Sequence, residues 1–404
     1  MKLKNQHSDN WYTSPFSIGI VSIISVIIIL FVSYLMNNNP YPMFDDIDHY
    51  SKLEYINRKI HNDIQQDSDV LYINVCYDKK LIPYNDSENG FPQGNIDITD
   101  REKLCRFLKI AQQANNYKYI FMDVRFEKGY EDTSAIDTSF TIDQELIKDI
   151  KATPRLVISN HKDITLLDST LLPKSAISDF TATITATNFV RYQYLYDGKP
   201  SVPLKMYEDL TKKKIVKKGL FYLSDNRLCQ NCPFLQIHTP FPGQYDAEGN
   251  SLFYNLGADL LDIDMDEDLK TLMKGKYVII GNFIDDVHDT YVGMQPGSYI
   301  NYLAFKALQN NKHLVNWASM CILGLLYLLI CIFMFSKTSV ISHIPFIKKY
   351  ESKFLRFVVS FLGISFAMQV VTDVTYLING ETFCMWFPSL YFTIMSTIIS
   401  YKES

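Results

Sequence analysis

Residues 16–36, FSIGIVSIISVIIILFVSYLM, hold no charged side chain over about 20 residues, the length of helix that crosses a bilayer core. A cleaved leader has a shorter apolar run ending in small residues, whereas this run is Ile-rich and stops at Met36 and three asparagines. It reads as an uncleaved membrane anchor. Three further runs crowd the other end: 315–335 is uncharged and opens near Trp317, 357–378 carries only Asp373, and 383–400 carries no charge. Four transmembrane helices are expected.

Between the second and third runs, Lys337, Lys348, Lys349, Lys353 and Arg356 face a single acid, Glu351. The positive-inside rule puts that loop in the cytoplasm. One topology then satisfies every segment. It has a cytoplasmic tail at 1–15, a first span at 16–36, an exported domain at 37–314 and a second span at 315–335. A basic cytoplasmic loop comes next at 336–356, then a third span at 357–378, an external turn at 379–382, a fourth span at 383–400 and a cytoplasmic tail at 401–404. The expected setting is a multi-pass protein of a bacterial cytoplasmic membrane with its main domain in the periplasm or outside. Of the net charge of −5, the flanking segments carry about +3, which leaves about −8 on the exported part. Nucleic acid is not an expected partner.

Within 37–314, short runs rich in β-branched and aromatic residues alternate with helical patterns, the signature of an α/β sheet with crossover helices. Strands are expected at 69–77, 117–126, 154–160 and 276–282. A helix comes after the first of them, with Thr99 and Glu102 as a capping box and Leu104, Leu108 and Ala111 as its apolar stripe. A second helix is expected from Thr141, and a last one after the final strand. A mixed sheet is therefore predicted. Residues 161–260 give no reliable strand order: they combine Thr-rich alternation at 181–196, the basic run TKKKIVKKG at 211–219, and Pro and Gly breakers.

Four cysteines fall in the exported part. An oxidising compartment favours pairing, so Cys229 with Cys232 and Cys76 with Cys105 are disulfide candidates. The CQNC segment has neither a thioredoxin-like context nor a second CxxC to complete a zinc site.

Asp285, Asp286, His288 and Asp289 offer carboxylates and an imidazole within five residues, the right types for a divalent cation. A catalytic metal needs ligands from several elements, and no HExxH or equivalent accompanies them; helix capping and loop hydrogen bonds explain the same residues. The acids at 262, 264, 266 and 268 lack the Gly and Glu of a calcium loop, Glu267 and Met273 standing in those places, and they suit the start of a helix. Asp373, in the third span, is an intramembrane carboxylate near the outer interface, beside Thr372 and Thr375. No phosphate loop, nucleophile elbow or kinase signature is present. No residue is assigned a catalytic or metal-binding role, and no cofactor is expected.

One anchor, an exported α/β domain and three closely spaced spans resemble the type-2 CHASE domain, an extracytoplasmic sensory module of bacterial signalling proteins. In the segment YVIIGNFIDDVHDTYVGMQPGSYINYLAFKALQNNKHL the resemblance falls on Gly281, Asp289, Thr290, Gly293, Pro296 and Gly297; upstream it falls on Arg101, Asp123 and Phe126. Tyr291 stands where the family commonly has Pro, and the family's His-Ala pair is missing. Family members often continue into a cytoplasmic catalytic domain, whereas this chain ends at YKES. The resemblance implies a sensor that detects an envelope signal and relays it through its spans to a separately encoded membrane or cytoplasmic signalling protein acting in trans. Residues 282–297 are then expected to be a coupling loop. The alternatives are a structural component of an envelope complex and, less favoured, an exported metal-dependent enzyme. Gly324 and Gly363 permit helix packing or a homo-oligomer through the spans.

Overall fold

The computed structural model describes residues 14–39, 53–54, 56, 67–85, 92–126, 138–161, 166–179, 191–237, 241, 252–261, 266–336, 353–379 and 385–403. Most of the two tails' residues, most of the basic loop 336–356, residues 380–382 of the turn and the Thr-rich stretch 181–190 lie outside them. The chain divides into two compact units: one holds Met1–Phe44, Cys232–Phe234 and Leu314–Ser404, the other Asp45–Asn231 and Leu235–His313. The short segment Cys232–Phe234 thus groups with the apolar helices rather than with the α/β unit in which the sequence placed it.

The first unit contains α1 (Pro15–Asn37). The second opens with β1 (Val70–Asn74), α2 (Arg101–Ala114), β2 (Tyr119–Met122), α3 (Thr138–Ala152), β3 (Leu156–Asn160), β4 (Ser175–Ile177) and α4 (Val202–Thr211). It continues with β5 (Tyr254–Asn255), α5 (Asp266–Met273), β6 (Tyr277–Gly281), β7 (Val287–Thr290), β8 (Gly293–Pro296) and α6 (Gly297–Gln309). The first unit then resumes with α7 (Trp317–Phe335), α8 (Lys353–Asn379) and α9 (Trp386–Glu403).

Six strands form one sheet in the order β5-β1-β6-β2-β3-β4, and every neighbouring pair is parallel. The expected mixed sheet is therefore a parallel one, with the antiparallel pairings confined to separate hairpins. Alternation explains how both faces are filled. Leu71, Ile73, Ile120, Met122, Leu156, Ile158, Val278 and Ile280 join one core with Leu104, Phe107, Leu108 and Ala111 of α2, Leu146 and Ile150 of α3, and Leu269 and Met273 of α5. On the other face, Tyr72 meets Tyr299 and Tyr302 edge-on, and Tyr277 meets Phe305 at 5.1 Å. A parallel sheet covered on both faces needs near-continuous apolar strands, which is why β1, β2, β3 and β6 read so clearly in the sequence.

The start of α2 corrects one expectation. Asp100, not Thr99, is the N-cap: its carboxylate accepts from the amides of Glu102 and Lys103. A carboxylate also meets the positive end of the helix dipole, which a threonine hydroxyl does not. The second helix begins at Thr138, one turn before the expected Thr141. Of the alternate acids, Asp266 and Asp268 stand with Glu267 in the first turn of α5, while Asp262 and Asp264 lie outside the described residues.

In the helical unit, α1, α7 and the Phe357–Leu377 stretch of α8 are long and apolar enough to cross a membrane. The apolar part of α9, Trp386–Ile399, is shorter, about 21 Å at 1.5 Å per residue against a core of about 30 Å. Val26 and Ile29 of α1 share a core with Leu323 and Tyr327 of α7, Met368 of α8 and Phe392 of α9. Tyr391 donates its hydroxyl to Ser25 at 2.7 Å. A Cβ at Gly324 would make an ordinary contact with Leu30, at 3.5 Å, while Gly363 faces open space.

Candidate functional site at the carboxyl edge of the sheet

In a parallel sheet all strands end on the same side, and α/β proteins build their ligand sites in the crevice just beyond those ends. Here β2 runs into Asp123, β3 ends in Ser159 and Asn160 and runs into His161, β4 runs into Ser178 and Asp179, and β6 ends at Gly281. Asp123 stands at the centre. It accepts hydrogen bonds from the hydroxyl of Ser159 and, at 3.0 Å, from that of Ser298 in the first turn of α6. His161 Nδ1 lies 2.9 Å from Asp179 Oδ1. At the base of the hairpin formed by β7 and β8, Asp286 Oδ1 lies 3.4 Å from His288 Nε2.

The charges act on one another. Burial, then the nearby charge of Asp286, push the Asp123 carboxyl above the usual range, against the hydrogen bonds from Ser159 and Ser298 and the pull of His161. Burial pulls His161 down, but Asp179 and Asp123 more than offset it and leave the imidazole above its ordinary value. Both groups therefore hold protons more tightly than in the unfolded chain. Ser178 Oγ sits 3.4 Å from both ring nitrogens of His161, a side-on approach in which neither nitrogen is aimed to take its proton.

Two glycines make this packing feasible. A Cβ at Gly281 would fall well inside contact with Ser298 Oγ and lie 3.4 Å from Asp123 Cβ. A Cβ at Gly297 would meet His288 Nε2 at 3.0 Å and Asp286 Oδ2 at 3.1 Å. The Gly297 amide donates to the Asp286 carbonyl at 2.9 Å. The end of β6, the hairpin and the start of α6 are thus held against each other by the absence of side chains.

The four clustered residues Asp285, Asp286, His288 and Asp289 do not converge. Asp285 is exposed and accepts from Cys76 Sγ at 2.9 Å; Asp286 and His288 meet Gly297; Asp289 is exposed. His288 and Asp289 must part because neighbours on a strand point to opposite faces. Residues 287–296 are a hairpin rather than a loop: Thr290 is buried and donates to the Gly293 carbonyl at 2.6 Å, Gly293 takes φ +99°, and Pro296 is extended ahead of α6. Among the described residues no three His, Cys, Asp or Glu side chains form a metal-binding group.

Of the upstream residues, Arg101 pairs with Asp143 across α2 and α3, a packing contact between helices, and Phe126 is buried with its carbonyl accepting from Leu167. All four cysteines of the expected pairs stand as thiols in this structure. Cys76 donates to Asp285, and burial reinforced by that carboxylate pushes it up to about 11; burial takes Cys105, on the buried face of α2, to about 12 and Cys229 to about 12. Asp373 is half-buried on α8, with Thr372 and Thr375 turned to the backbone carbonyls of Gln369 and Val371.

Of the residues gathered here, Asp123, Asp286, His288, Gly281 and Gly297 were singled out in the sequence, and Ser159, His161, Asp179 and Ser298 were not. The signal was a polar residue directly after an apolar run, as in LVISNH. Comparison with family models, curated proteins and solved structures gives no match for this chain.

Proposed function

We propose that this protein is a membrane-anchored, receptor-like sensor of the type-2 CHASE kind. Its exported α/β domain takes its signal at the carboxyl edge of the sheet and passes it through the spans to a separately encoded partner. In this reading α9 is a fourth crossing, helped by its extension to Glu403 and by Trp386 and Lys402 at its ends, and both termini are cytoplasmic. The observation that carries the reading is the hydrogen bond from Ser298 to Asp123. A ligand or proton that alters the charge around Asp123 acts on the first turn of α6, and only residues 310–316 separate α6 from the membrane helix α7. Such a contact is the kind of two-state element from which signalling is built.

Gentle-detergent extraction of the full-length protein from its native membrane, with mass spectrometry of co-purifying proteins and small molecules, tests this. A kinase, cyclase or regulator in fixed ratio is the expected result. Recovery of the protein alone, or with envelope-assembly proteins only, would favour a structural role.

A further inference from the structure

The basic run of the sequence folds into a three-stranded antiparallel meander, Ile215–Lys218, Phe221–Ser224 and Arg227–Cys229. Ile215, Ser224 and Cys229 are buried and seat it on the domain. Its basic side chains face outward. Lys212, Lys213, Lys214, Lys217, Lys218 and Arg227 are exposed against one acid, Asp225, in a chain whose net charge is negative. At the tip, Gly219 takes φ +60° and carries the chain round so that Leu220 stands 57% exposed and Phe221 41%, with Val216 at 41% beside them.

Single exposed apolar residues are ordinary on a protein surface, but an exposed Leu-Phe turn with Lys217 and Lys218 on the adjoining strand is not what solvation requires. Aliphatic and aromatic groups that enter the acyl boundary while lysines reach the headgroups are the pattern of interfacial binding. We infer that this meander is a lipid-surface anchor: Leu220 and Phe221 enter an anionic bilayer interface while the flanking lysines bind its phosphates. Charge complementarity selects the occupant, since each lysine near such a surface contributes about fivefold in affinity. The chain's own apolar helices keep a bilayer within reach of the domain at high effective concentration, so a modest intrinsic affinity suffices.

The test is amide hydrogen exchange on the full-length protein in nanodiscs of phosphatidylcholine alone and of phosphatidylcholine with phosphatidylglycerol. Amides of residues 219–222 should exchange about tenfold more slowly in the anionic discs. High salt, and the triple substitution Lys213→Glu, Lys217→Glu, Lys218→Glu, should each remove the difference. The three lysines are exposed, and unchanged protection in β1 and β6 verifies that the variant is folded. Equal exchange in the two discs overturns the inference, as does protection that persists in the charge-reversed protein. Protection by a soluble acidic polymer but not by phosphatidylglycerol also overturns it, because the patch would then serve an acidic macromolecule.

Discussion

Arg101→Met should destabilise the α/β unit by about 3–5 kcal/mol, because it leaves Asp143 buried with no countercharge. The two side chains are only 10% and 12% exposed, and their ion pair ties the first turn of α2 to α3. The double substitution Arg101→Met with Asp143→Met should recover most of the loss, since two apolar side chains of similar volume need no partner. Urea unfolding of the full-length protein, monitored by exchange of core amides in β1 and β6, reads both values. A single variant within about 1 kcal/mol of the parent would mean that the pair is solvated and bears no part of the packing.

Acidification should weaken the same unit through His313, and His313→Phe should abolish that part of the loss. His313 is fully buried, neither ring nitrogen has a hydrogen-bond partner, and Tyr207 and Tyr194 meet it edge-on at 5.6 Å and 6.5 Å. Burial, then Arg227 and Lys213, lower its pKa to about 4 from an ordinary 6.5. The folded pKa lies below the unfolded one, so the unfolded chain takes up the proton first. The contribution is complete above pH 6.5, falls as the pH drops, and levels off below about 4, a total of about 3 kcal/mol. Phenylalanine leaves no polar atom to strand and should be neutral or stabilising at neutral pH. The contrary outcome is an equal acid loss in both proteins, which would place the sensitivity elsewhere.

The parts of this fold that were legible in the sequence are those governed by local composition. The four central strands are short apolar runs that must be apolar on both faces, and the candidate spans are apolar runs whose one charge is Asp373. The two edge strands were hidden for a physical reason: β4 has three residues and β5 two, too few for any periodicity. The parallel arrangement was hidden too, because pairing is decided by contacts between distant segments. The candidate site was half visible. Asp286 and His288 are near neighbours in sequence, but Asp123 and Ser298 are 175 positions apart and meet only because β2 and β6 are adjacent in the sheet. The proximity of Asp285 and Asp289 to that pair in sequence was misleading, since strand alternation and the bond from Cys76 direct them elsewhere.

The proposed coupling between the sheet edge and the membrane is tested most directly by the behaviour of the proposed partner when the Ser298–Asp123 bond is removed. The measurement is the ratio of co-purified partner to protein, and the partner's activity, for the parent, Ser298→Ala and Asp123→Asn, with core amide protection confirming that each is folded. Under the proposed sensing role, both substitutions should fix that partner in one state and abolish its response to the signal. A partner that responds as before in both variants would contradict it.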